Sequence, residues 1–186
     1  MVSKQTFTKS TTATRRIIVS MAISADGFIA RTDGAVDWLD RPWPKDHYGM
    51  PEFQASIDTV ILGGRTYREA AGRGGGFGKK MQYYVFTRTP PAKPPKGVAF
   101  VNEPVQAFAA RLRAQPGKDI WIMGGGGIIA SFVDANEVDE FVFHVIPIFI
   151  GEGVPLLAPA RRTVPLTLHA TRHWDDGVVR LHYRRV

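Results

Sequence analysis

The sequence contains no cysteine. Disulfides, thiolate metal centres and cysteine nucleophiles are therefore excluded, and a cytoplasmic location is the expectation. No apolar run reaches the ~18 residues needed to span a bilayer. The opening segment, Met1 to Thr14, lacks the apolar centre of a secretory signal and reads as a polar, disordered leader. Metal-ligand spacing is missing as well. Histidines 47, 144, 169, 173 and 182 do not cluster with carboxylates, so no metal is expected. Neither a G-x-S-x-G elbow nor a P-loop occurs.

Acid is in deficit: 17 acidic residues face 24 basic ones, a formal charge of +7. Such a balance suits nucleic acid, an anionic membrane surface or a phosphate-bearing small ligand. No run of five or more basic residues forms an arm. Most of the charge reads as solvated surface, and neither nucleic acid nor membrane is the expected partner.

What remains is enough for one domain, placed at 15–186 of the 186 residues. "RRIIVSMAISADGFIA" (Arg15–Ala30) is β-branched and apolar and reads as a buried strand ending at the turn "SADG". A long polar and aromatic loop follows, then a short helix opened by Pro51. "DTVILGGRTYREAAG" reads as strand, glycine turn and a helix from about Thr66. "GRGGGFGKK" (Gly72–Lys80) reads as a flexible surface loop. "MQYYVF" and "GVAFV" are strands, and "PVQAFAARLRAQPG" is an amphipathic helix closed by Pro116 and Gly117. "DIWIM" is a strand, "GGIIASFVDAN" a turn into a helix, and "DEFVFHVIPIFIG" a longer strand. The tail alternates on both sides of "DDG", the pattern of a hairpin. Together these predict a three-layer α/β/α fold, with a mostly parallel central sheet and an antiparallel C-terminal edge hairpin.

Two glycine clusters, "VILGGRTY" and "IWIMGGGGII", each follow a strand and precede a helix. Ligands of open α/β sheets bind outside the carboxyl ends of the strands. Glycine there is either a tight turn or a place where backbone N–H groups approach a phosphate at a helix N-terminus. Gly125, Gly127 and Ala130 also fit G-x-G-x-x-A, a weak match because a glycine run satisfies many patterns.

"ISADGFIA", "VILGGRTY", "YVFTR", "IWIMGGGGII" and "DEFVFHVIPIFIGEGVPLL", in this order, resemble the dihydrofolate-reductase-like superfamily. The resemblance is to the bacterial branch grouped with the C-terminal reductase domain of the bifunctional riboflavin-biosynthesis deaminase/reductase. It runs from about Arg16 to Val186. It implies an NADPH-dependent reductase acting on a small planar heterocycle, pterin-like or pyrimidine-like, and a homodimer.

By position, the resemblance implies Ala22, Ile29 and Ala30 near the nicotinamide. Gly63, Gly64, Arg65 and Thr66 would hold phosphates, and Thr87 and Arg88 the 2′-phosphate. Met123, Gly124, Gly125, Gly126, Gly127 and Ile128 would cover the pyrophosphate. Where this chain has Gly64, the family often has arginine. The glycine pair of the fourth-strand motif is joined by a cis peptide in dihydrofolate reductases, which implies one between Gly124 and Gly125.

On the substrate side, Asp46 and His144 are the catalytic candidates, and Trp38, Tyr48 and His144 the substrate-binding ones. Trp38, Trp43 and Tyr48, in the loop over the site, have flat faces for stacking, or pack the loop down. Two further readings stand beside the reductase. One is a non-catalytic nucleotide- or nucleic-acid-binding module on the same fold. The other is 5-amino-6-(5-phosphoribosylamino)uracil reductase, which is less expected because that enzyme is usually fused to a deaminase with a zinc motif, and the sequence has no cysteine to bind zinc.

Overall fold

The computed structural model describes residues 14–72 and 81–186. The leader, apart from Thr14, and the glycine-rich segment after Gly72 lie outside the described residues. Strands β1 (Ile17–Ser24) and β2 (Phe28–Ala30) come first, then α1 (Met50–Ser56), β3 (Ile57–Gly63) and α2 (Gly64–Gly72). The chain continues with β4 (Gln82–Phe86), β5 (Val98–Val101), α3 (Val105–Arg113), β6 (Asp119–Gly124) and α4 (Gly126–Asp134). It ends with β7 (Glu140–Ile146), β8 (Val154–Pro155), β9 (Leu166–His173) and β10 (Val179–Arg185).

The main sheet has eight strands in the order β5-β4-β3-β6-β1-β7-β10-β9. The first six run parallel, and β10 and β9 close the edge antiparallel. This is a dihydrofolate-reductase-like fold. The central strands lie under helices on both faces, which is why they read as nearly continuous apolar runs. Phe108, Ala109 and Leu112 of α3 join Ile129, Phe132 and Val133 of α4 in a core on one face. Phe53 of α1 and Tyr67 of α2 pack on the other face, against Val60, Leu62, Val85 and Trp121.

Three details differ from the sequence expectation. The run Arg15–Ala30 makes two strands rather than one. The Asp26–Gly27 turn, with Gly27 at φ 89°, sends β2 into a small separate sheet with β8. The strand after α4 stops at Ile146, where Pro147 has no N–H to continue the ladder. The peptide between Gly124 and Gly125 is trans. The chain turns there by placing Gly124 at φ 155° and Gly125 at φ 94°, so positive φ does what a cis bond was expected to do.

Candidate functional site

The two glycine turns converge at the carboxyl ends of β3 and β6. A Cβ on Gly125 would lie 3.2 Å from Thr66 Oγ1 and 3.5 Å from Ile128 Cγ2, and one on Gly63 3.7 Å from the same Cγ2. Gly63, Thr66, Gly125 and Ile128 therefore form one cluster, and side chains on its glycines would crowd it. No side chain caps the N-terminus of α4. The first helical bond runs from Ile129 N to Gly125 O at 3.1 Å, which leaves the N–H groups of Gly126, Gly127 and Ile128 outside the helical ladder. Free N–H groups at the positive end of a helix, beside a threonine hydroxyl, suit a phosphate.

The four glycines divide their work. Gly124 and Gly125 make the turn. A Cβ on Gly126 would meet Pro155 O at 2.3 Å, so Gly126 is glycine because the backbone around β8 packs on it. Nothing lies within 4 Å of a Cβ on Gly127. Gly64 is also a packing glycine, since its Cβ would come within 2.9 Å of Thr87 Cβ and Oγ1. That contact accounts for glycine at the position where the resemblance leads one to expect arginine.

Arg65, the neighbouring arginine that the resemblance implies as a phosphate contact, is engaged within the chain. Its guanidinium is bound to Glu69 at 2.9 Å and to Thr32 O at 2.9 Å. Arg68, one helical turn beyond Gly64, lines a cavity of about 140 Å³ with Gly64, Tyr67, Thr87, Thr89 and Phe100. Arg88 is exposed and outside that lining. The sequence reading passed over Arg68. Its signal is the i, i+4 spacing from Gly64, which puts both on one helix face.

A second, apolar cavity of about 180 Å³ opens next to the glycine turn, lined by Ala22, Trp43, Tyr48, Trp121, His144 and Ile146 among others. Met21 joins the two, because it lines this cavity and its Cε lies 3.5 Å from a Cβ built on Gly124. Ile29, Ala30 and Met123 lie outside the lining, the first two buried.

The loop before α1 forms the roof of the cavity. His47, Tyr48 and Gly49 follow one another at φ 48°, 57° and 76°. Consecutive left-handed residues cost about 1–3 kcal/mol for each non-glycine and persist only where the surroundings hold them. Here the Tyr48 hydroxyl donates to Asp176, and His144 Nε2 lies 3.2 Å from Tyr48 O. A carbonyl can only accept, so Nε2 carries the proton and Nδ1 is left with a lone pair. Burial, with the charge of Arg180 adding to it, lowers His144 to about 4, and the ring is neutral at pH 7. Burial and the Asp176 carboxylate push the Tyr48 hydroxyl up to about 12.

Asp46 does not line the cavity. It accepts from Trp174 Nε1 at 3.0 Å and pairs with Arg172 at 2.5 Å, fastening the loop to the C-terminal hairpin. Trp38 is buried behind the wall, in a cluster with Tyr48, Ile146 and Val178, and its Nε1 has no partner among the described residues. Sequence reasoning missed Trp121, Met50, Arg41 and Ser20 as lining residues. Alternation within each strand limits which side chains can reach this face, but which strands lie side by side is set only by the sheet order.

No group of three or more His, Cys, Asp or Glu suited to a metal occurs among the described residues. No helix among them is long and apolar enough to cross a membrane.

A phosphate-suited turn and an adjoining apolar cavity at the strand ends are where open α/β sheets bind their ligands. Residues 15–180 match the family model of the RibD C-terminal domain, and the chain belongs to that family. The uncharacterized protein YwjB of Bacillus subtilis (strain 168) is 37% identical over 172 residues, covering 92% of this chain and 98% of that protein. The crystal structure of a putative riboflavin biosynthesis protein from Shewanella sp. PV-4 superposes with a TM-score of 0.82 at 25% identity, covering 92% of this chain and 99% of the other. Dihydrofolate reductase from Enterococcus faecalis, complexed with NADP(H), superposes with a TM-score of 0.65 at 15% identity, covering 91% and 96%. That last likeness shows the fold alone.

Proposed function

We propose that this chain is an NADPH-dependent reductase of a small planar heterocycle. The observation that carries the reading is the junction at Met21. A turn suited to phosphate and a cavity walled by aromatic rings meet at this one side chain, which is the spacing that a dinucleotide lying along the strand ends requires. When bound, NADPH supplies the hydride; the residues supply position and electrostatics.

In this reading the N–H groups of Gly127 and Ile128 and the Thr66 hydroxyl hold the pyrophosphate. Arg68 and Thr87 hold the 2′-phosphate, where a guanidinium fork and a hydroxyl suit a dianion. Ala22 is small enough to let a flat ring lie against β1. Tyr48, Trp43 and Trp121 enclose the substrate ring and exclude water. His144, neutral and with Nδ1 free to accept, orients a ring N–H of the substrate. The cavity is smaller than the ~300 Å³ common for drug-sized ligands, which favours a substrate of one or two rings.

The test is calorimetric titration of NADPH and NADH into wild type and Arg68→Ala. The variant should lose at least tenfold in affinity for NADPH and less than twofold for NADH. Equal losses for the two cofactors would contradict this placement of the 2′-phosphate.

A further inference from the structure

Across four neighbouring strands, Ala22, His144, Arg180 and Arg172 stand in register, Ala22 opposite His144, His144 opposite Arg180, and Arg180 opposite Arg172. Residues directly opposite in a sheet share a face, so this row runs from the cavity wall out along the C-terminal hairpin. Its two arginines are treated differently. Arg172 is satisfied: Asp46 pairs with it at 2.5 Å, and its guanidinium lies 4.6 Å from the centre of the Trp174 ring.

Arg180 has no such protein partner. It is half-buried, and among the described residues no ion pair or hydrogen bond holds its guanidinium. Asp46, the acid whose charge reaches it, is already committed to Arg172 and Trp174. Burial and the charge of Arg172 both press against its own charge. Half-burying a cation without a partner is costly, and such groups persist where a ligand completes them.

The surroundings of Arg180 point the same way. It lines a cleft of about 10 Å³ with Gly49, Phe53, Val142 and His182, and with Ser20, Tyr48, Met50 and His144. The last four also line the main cavity, so cleft and cavity share a wall. A Cβ on Gly49 would stand 3.2 Å from Arg180 Nη1, and the strained turn at His47–Gly49 is what brings that backbone down over the guanidinium. Room of about 10 Å³ admits a single water-sized atom. One oxygen of an anion fits it, and the rest of the anion stays in the apolar cavity, where one remaining carboxylate oxygen costs less to desolvate than the three of a phosphate.

We propose that Arg180 is the anion subsite of the cavity, and that the ring bound there carries a carboxylate, one of whose oxygens enters the cleft beside His144. This rests on the reductase reading for the occupant of the main cavity and narrows its substrate to heterocyclic carboxylates. The contact adds a charge-assisted hydrogen bond to a guanidinium that no carboxylate of the described residues pairs with.

The test uses two matched rings, pyrazine-2-carboxylate and pyrazine-2-carboxamide, titrated into cofactor-free protein and followed through the arginine side-chain NMR signals. In wild type the carboxylate should bind at least tenfold more tightly than the amide and shift the Arg180 Nε signal. Arg180→Met should abolish that preference, Arg180→Lys should restore part of it, and both should keep the dispersed spectrum of a folded chain. The inference is overturned if neither ring binds, if both bind alike, or if the preference survives in Arg180→Met. A parallel NADPH titration separates the two proposals. Loss of cofactor binding would end the reductase reading and leave a carboxylate preference standing, and the reverse result would end only the subsite.

Discussion

Two adjacent glycines give opposite predictions. A methyl group at position 126 would stand 2.3 Å from Pro155 O, against 3.4 Å for ordinary contact. The obstacle is backbone, so no side chain can swing away. Either α4 or the segment around β8 must move by about 1 Å, which overpacks a core of α4 residues that includes Ile129, Phe132 and Val133. The same movement stretches the bond from Ala158 N to Gly126 O, 3.1 Å in the folded chain. Overpacking and a weakened hydrogen bond together cost about 2–4 kcal/mol, offset by up to ~1 kcal/mol of better helix propensity. At position 127 the methyl group meets nothing within 4 Å and only the gain remains. Urea unfolding should therefore place Gly126→Ala well below wild type and Gly127→Ala at or slightly above it. Equal midpoints, or Gly126→Ala at the wild-type value, would refute the assignment of Gly126 to packing.

His144 and Glu140 set the response to acid. His144 falls from 6.5 to about 4 on folding. Its stabilising effect is complete above about pH 6.5 and is lost as pH falls through 4, up to about 3 kcal/mol. Stability of His144→Gln should fall less between pH 6.5 and 4 than that of wild type; parallel curves would remove His144 as the cause. Glu140 is buried, yet His182, Arg16 and Arg184 outweigh that burial and bring its carboxyl from 4.5 down to about 2. Its effect is complete above about pH 4.5 and is lost as pH falls through 2. Glu140→Gln should cost about 3 kcal/mol at pH 7, with the gap closing toward pH 2. A gap that does not change with pH would mean that the charge of Glu140 is not what stabilises.

Much of the fold was legible because apolar periodicity and turn residues act locally. β3 and β6 read as strands from their β-branched runs, and α3 from Val105, Phe108, Ala109 and Leu112 on one face. The pair β2 and β8 was not legible, since strands of three and two residues carry no period. The glycine run was legible as a site but not as a division of work. Only the approach of Pro155 separates Gly126 from Gly127, and that approach depends on a segment some 30 positions downstream. Arg180 was invisible for the same kind of reason. Its meaning lies in being opposite His144 and lacking a carboxylate, and both are facts about neighbouring strands.

The central claim is that the glycine turn and the aromatic cavity together hold a reduced nicotinamide dinucleotide. Titration of wild-type protein against NADPH, followed by nicotinamide fluorescence, tests it most directly. The account predicts saturable binding of one NADPH per chain with a change in nicotinamide emission, weakened by Gly125→Val. No binding at millimolar NADPH, or binding that Gly125→Val leaves unchanged, would contradict it.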